Sequence, residues 1–145
     1  MDTLAVLREE CNRAIDFQMK SLDALDTKAG LILGAVLIVS GIIFSGDFIS
    51  QLIPGTVLIV SLVVSGGSSL ACLYVRLYAR SPDPDVLRRE YYAEELFVVQ
   101  RVLIATAAEA WLINEPLLER KAERVKVAII SFFLSLIMII VNGLT

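Results

Sequence analysis

Three charge-poor apolar runs, at residues 29–44, 53–75 and 127–141, constrain this chain more than any other feature. Crossing roughly 30 Å of hydrocarbon takes about 20 mostly apolar residues in a helix, and each run approaches that length. The first and third run short and lengthen by borrowing flanking residues such as Thr27, Lys28 or Lys126. The assigned spans are 29–45, 53–75 and 127–142. Every lysine and arginine falls on one side of the barrier these spans would form. Arg8, Arg13, Lys20 and Lys28 precede the first span, and the other nine basic residues lie between Arg76 and Lys126. Neither the connection 45–52 nor the tail 142–145 carries any. The bias of basic residues toward the cytoplasm predicts a cytoplasmic N-terminus, a cytoplasmic 76–126 segment and a C-terminus outside.

Composition agrees. A mean hydropathy of +0.73 and a hydrophobic content of 57% are too high for an ordinary soluble domain of 145 residues. The charged stretch before residue 29 is too long for a signal-peptide n-region, so the first span is expected to act as its own insertion signal. Cys11 and Cys72 are far apart in sequence, and Cys11 is expected in the reducing cytoplasm with Cys72 inside the membrane near its cytoplasmic face, which argues against a disulfide. The chain has no histidine. That excludes histidine-dependent triads, histidine–carboxylate zinc sites and histidine bases.

Residues 3–28 read as an amphipathic helix. Leu4, Leu7, Cys11, Ala14, Ile15, Met19, Leu22 and Leu25 recur every three to four residues, with no glycine or proline before Gly30 to interrupt a run into the first span. That span carries small residues at Gly30, Gly34, Gly41 and Ser45, in the spacing that lets helix backbones approach closely in lipid. Such a stripe serves packing on the second span or self-association. The second span has its own polar stripe, Ser61, Ser65, Ser69 and Cys72, and the third has Ser131, Ser135 and Asn142. These serve helix–helix contact or line an aqueous path. No charged residue lies inside a span, so ion-coupled transport is not indicated.

The run Ser81-Pro82-Asp83-Pro84-Asp85 breaks the chain after the second span. A helix is expected over 86–113, with Tyr92, Leu96, Val99, Leu103, Thr106, Ala110 and Ile113 on its apolar stripe. Asn114-Glu115-Pro116 is expected to end it, and 116–126 to lead into the third span. A 28-residue helix of about 42 Å returned by a ten-residue segment of about 15 Å cannot point straight away from a bilayer. Its apolar surface is also excessive for one small protomer, which favours burial in a homo-oligomer.

No nucleophile–base pair, phosphate loop or metal-ligand spacing is present, so no catalytic residue, cofactor or metal is assigned. Arg76, Arg80, Arg120, Lys121, Arg124 and Lys126 form a juxtamembrane basic ring. Its ordinary role is topology and contact with anionic lipid, and its alternative role is holding a phosphate-bearing ligand. Glu119 and Glu123 interleave with it and weaken the alternative.

Asp26-Thr27-Lys28-Ala29-Gly30 at the entry to the first span, the proline-marked segment after the hairpin, and the Asn114–Lys121 run before the third span resemble a known layout. It is that of the small multi-span effectors of prokaryotic antiphage signalling, the Pycsar and SLATT-type transmembrane effectors. The resemblance implies a non-enzymatic protein of the prokaryotic inner membrane, multi-pass and oligomeric. It would permeabilise or depolarise the membrane once its cytoplasmic helices receive a signalling protein or a nucleotide messenger. No nucleotide-binding domain is attached, and no direct nucleic-acid binding is expected. The competing expectation is a constitutive membrane scaffold whose cytoplasmic helices dock a partner. Either way the expected fold is all-α, with three membrane helices and long cytoplasmic helical extensions.

Overall fold

The computed structural model describes residues 3–45, 52–74 and 95–144, all but the two flanking residues 74 and 95 lying in three helices. Helix α1 spans Thr3–Ser45, α2 spans Leu52–Leu73 and α3 spans Leu96–Leu144. No strand occurs among the described residues. All three helices are long and apolar enough to cross a membrane, the pattern of a multi-pass membrane protein. With 43 residues, α1 is about 65 Å long, and α3, with 49, about 74 Å. Helix α2 has 22 residues and, at about 33 Å, matches the hydrocarbon thickness.

Helix α1 runs without interruption from the amphipathic stretch into the first apolar run. Its polar side chains are satisfied locally. Arg13 pairs with Glu9 at 2.7 Å and with Glu10 at 3.0 Å, and the hydroxyls of Ser21 and Thr27 donate to carbonyls one turn back, at Phe17 and Asp23.

Helix α3 departs from expectation. It does not end at Asn114-Glu115-Pro116 but passes through Pro116 to Leu144. An internal proline removes one helical hydrogen bond, here the one to the Leu112 carbonyl. Ending the helix and starting another would instead strand up to four carbonyls and four amides. Packing on both sides favours the continuous path, because Ala107 and Ala110 are buried before the proline, and Val125 and Ala128 after it. With no turn at 114–116, the mismatch between a 42 Å helix and a short return does not arise. Residues 86–94 lie outside the described residues.

The described chain forms two compact units. The first holds residues 3–22 and 95–119, the second 23–45, 52–74 and 120–144. In the first, Ile15 of α1 packs on Ala107 and Ala110 of α3, flanked by Cys11 and Met19. The buried face of α3 here is Gln100, Ala107, Ala110 and Asn114, while Leu96 and Ile113 of the expected stripe are exposed. The inward face is therefore rotated by about one residue from the large-apolar stripe. Small side chains let α1 and α3 come close, and the larger ones are left outside. In the second unit, Val36 and Ile43 of α1 meet Leu58 and Leu62 of α2, with Phe132, Met138 and Ile139 of α3 against them.

Burial follows a seven-residue rhythm on every helix. On α1 a buried row runs through Ile15, Leu22, Ala29, Val36 and Ile43, and on α2 through Leu58, Ser65 and Cys72. On α3 it runs through Gln100, Ala107, Asn114, Lys121, Ala128 and Ser135, and further buried residues flank the rows at Gln18, Ser61, Leu62, Ser69, Ala110 and Val125. This heptad spacing is the signature of knobs-into-holes packing.

Candidate functional site

In the second unit the heptad faces carry polar groups. Ser61 of α2 and Ser135 of α3 lie with their hydroxyl oxygens 2.7 Å apart. Ser61 is also placed to donate to the Leu58 carbonyl at 2.9 Å, and Ser135 to the Ser131 carbonyl at 2.9 Å. Two hydroxyl protons cannot serve three bonds, so one of the two carbonyl bonds yields to the serine–serine bond. One turn along, Ser65 donates to the Ala128 carbonyl at 2.8 Å. Ser69 is fully buried, and its hydroxyl oxygen has no partner.

Beyond Ser69 the stripe reaches a charged cluster. The Lys121 ammonium donates to the Asp26 carboxylate at 2.6 Å, tying α3 to α1. The Cys72 thiol of α2 lies 4.0 Å from the same carboxylate oxygen and 4.0 Å from the Lys121 carbonyl. Arg124 donates to the Ala71 carbonyl at 2.6 Å. That carbonyl belongs to the last turn of α2, where helical partners run out and a cation is favoured by the helix dipole. Beneath the cluster, Ala29, Cys72 and Val125 close the packing with Leu25, Ile32 and Ile129. Only 7% of the Lys121 side chain is exposed, against 37% for Asp26. Sequence separation hid this pair, since the two residues stand 95 positions apart.

The juxtamembrane basic ring is therefore divided. Lys121 turns inward onto Asp26, and Arg124 caps α2, so neither is free to hold lipid or ligand in this arrangement. Arg120 and Lys126 are exposed. Arg76 and Arg80 lie outside the described residues. The polar stripes also sit differently from a surface path. Ser61, Ser65, Ser69 and Ser135 are buried inside the protomer, and Ser131 is half-buried. The side chains of Ser45 and Asn142 lie outside the described residues.

The glycine stripe is the reverse case. Among the described residues, a β-carbon added at Gly30, Gly34 or Gly41 meets nothing within 4 Å, so these glycines do not serve packing on α2. The close approach of α1 and α2 is at Gly66, where an added β-carbon would stand 3.5 Å from the Val36 methyl. Beside the stripe, an apolar groove of about 420 Å³ opens between α1 and α2, lined by Leu33, Leu37, Phe44, Val63, Gly67 and Leu70 among others. Leu33, Leu37 and Gly41 share one i,i+4 row, so the groove and the stripe are neighbouring surfaces.

In the first unit, the side-chain amide of Gln18 donates to the Trp111 carbonyl at 3.2 Å, one residue from the carbonyl that Pro116 deprives of its partner. Gln18, Gln100 and Asn114 form a buried polar set that a search for large apolar residues passes over. Among the described residues no three histidine, cysteine, aspartate or glutamate side chains gather as metal ligands.

No protein-family model, curated protein or solved structure matches this chain. Asp26, at the entry to the first apolar run, and Lys121, before the third, form an ion pair of which Lys121 is the buried member.

Proposed function

We propose that this chain is a non-enzymatic membrane effector. It assembles as a homo-oligomer in a prokaryotic inner membrane and permeabilises or depolarises that membrane on receipt of a signal. The N-terminal helix and the 76–126 segment are cytoplasmic and receive a signalling protein or nucleotide messenger, and the C-terminus is outside. The observation that carries this reading is the open glycine row Gly30, Gly34 and Gly41 beside an apolar groove. In lipid, helices associate where small residues let backbones approach, and among the described residues this row touches no partner of its own protomer. Exposed Phe17, Leu96, Phe97, Leu112 and Ile113 in the first unit support assembly as well.

A second reading, a constitutive scaffold that docks a partner, is favoured by a different observation. Ser61, Ser65 and Ser135 are buried and bonded within the protomer, so they line a path only if the three helices separate.

The test is Gly34→Leu in liposomes loaded with a self-quenched dye and in cells carrying a membrane-potential probe. On the effector reading, wild-type protein is an oligomer that leaks dye and depolarises cells on overexpression, and Gly34→Leu is monomeric and silent. A tight, non-toxic wild-type oligomer supports the scaffold instead.

A further inference from the structure

The groove between α1 and α2 has the form of a seat for another helix. Its α1 wall is Leu33, Leu37, Ser40 and Phe44, and its α2 wall is Ile59, Val63, Gly66 and Leu70. Both walls step by four, three and four residues, so each presents a single helix face to the space between them. Gly67 lies in the α2 wall, and Gly34 and Gly41 border the α1 wall. Among the described residues, a β-carbon added at any of these three meets nothing within 4 Å.

Helix α3 carries the counterpart. Ile130, Phe133, Ile137 and Ile140 step by three, four and three residues, and all are exposed. Ile130 and Ile137 are one heptad apart, as are Phe133 and Ile140, so this outer ridge repeats the rhythm of Ala128 and Ser135 on the buried side of α3. The ridge is about 15 Å long and the α1 wall about 17 Å. Their depths also match. Within the protomer Val36 and Ile43 pack with Phe132, Met138 and Ile139, which puts residues 33–44 at the level of the ridge. Copies inserted the same way round therefore hold ridge and groove at one depth in the bilayer. At about 200 Å² for a fully exposed large apolar residue, ridge and walls together offer about 1,000 Å², the size a specific interface needs.

We propose that the ridge Ile130, Phe133, Ile137 and Ile140 of one copy seats in the α1–α2 groove of the next. The contact rests on the homo-oligomer reading above and specifies which surfaces meet. Groove against groove would leave two concave faces unfilled, so the contact is head-to-tail rather than two-fold. Large side chains then lie over Gly34, Gly41 and Gly67, where the backbones can approach. Each copy offers one ridge and one groove, and the series closes into a ring where the rotation between copies permits.

The experiment uses full-length Cys11→Ala/Cys72→Ala protein in liposomes, a short bis-maleimide cross-linker, and differently tagged Leu37→Cys and Phe133→Cys variants, two positions at one depth. Cross-linked dimer should form in the mixture and in neither variant alone. A chain carrying both substitutions should give a ladder beyond dimer. Either single variant cross-linking to itself means that like surfaces meet, which overturns the proposal. So does a double variant that stops at dimer. Native mass of the extracted protein separates the remaining cases. An oligomer whose mixture does not cross-link overturns this contact and leaves the homo-oligomer reading standing. A monomer overturns both, the groove then being covered by lipid.

Discussion

At the scale of single residues, the Asp26–Lys121 pair makes its two members unequal. Asp26→Asn removes the carboxylate that the buried Lys121 ammonium donates to at 2.6 Å. It should cost close to the lower end of the roughly 3–5 kcal/mol seen when one partner of a buried pair is removed, because Asp26 is partly solvated. Lys121→Met removes the buried charge itself and leaves a carboxylate that water can reach. It should cost less. Denaturant unfolding in mixed micelles, followed by far-ultraviolet circular dichroism, decides the order. Equal losses would mean that the pair is solvated alike on both sides. The serines illustrate the same scale differently. The Ser61 and Ser135 hydroxyls are satisfied by carbonyls of their own helices and by each other, and Ser65 by the Ala128 carbonyl across the interface. Interhelical polar bonds of this sort contribute only about 0.6 kcal/mol on average in membrane proteins. They set which faces meet more than how tightly.

At the scale of elements, α3 is the informative helix. Proline in a helix interior costs about 3 kcal/mol, through a lost hydrogen bond and a clash with the carbonyl four residues back. Because α3 is continuous, Pro116→Ala should raise the unfolding midpoint, and the amide that residue 116 gains should be protected from exchange by its bond to the Leu112 carbonyl. A helix that truly ended at Asn114 would show no such gain. The glycines separate two kinds of contact on α1 and α2. Gly34→Leu should leave the protomer as stable as before, or more so by up to about 1 kcal/mol of helix propensity, while removing assembly. Gly66→Leu, by contrast, adds side-chain atoms beyond a β-carbon position that already touches Val36, and should lower protomer stability.

At the scale of the whole molecule, the one-sided distribution of basic residues carries the argument for orientation. A phosphatase reporter fused after Thr145 should be active outside the cell, and the same reporter at the N-terminus inactive. The opposite result would reverse the membrane orientation and place the receiving helices on the wrong side for a cytoplasmic signal. The exposed apolar residues of the second unit fit surrounding lipid, and those of the first are the surface that the proposed assembly would cover. Native mass measurement of the detergent-extracted protein tests the latter, and a monomer would remove the reason for the exposed Phe17, Leu96 and Phe97.

The sequence alone determined the helical class and the three long apolar elements. Run length and hydropathy are local properties that need no partner to be read. The uninterrupted stretch before Gly30 likewise announced that α1 would continue into its apolar half. Which faces meet was decided by the tertiary structure. The heptad row Gln100, Ala107, Asn114, Lys121, Ala128 and Ser135 was present in the sequence, yet only its two alanines look apolar, so the larger residues beside it drew the inward face one position away. Pro116 was readable as a stop until packing on both sides made one lost hydrogen bond cheaper than two new helix ends. Lys121 read as one member of a basic ring, because nothing local tells a lysine bound for water from one bound for a carboxylate 95 residues away. That choice depends on which backbones approach, and only the assembled helices fix it.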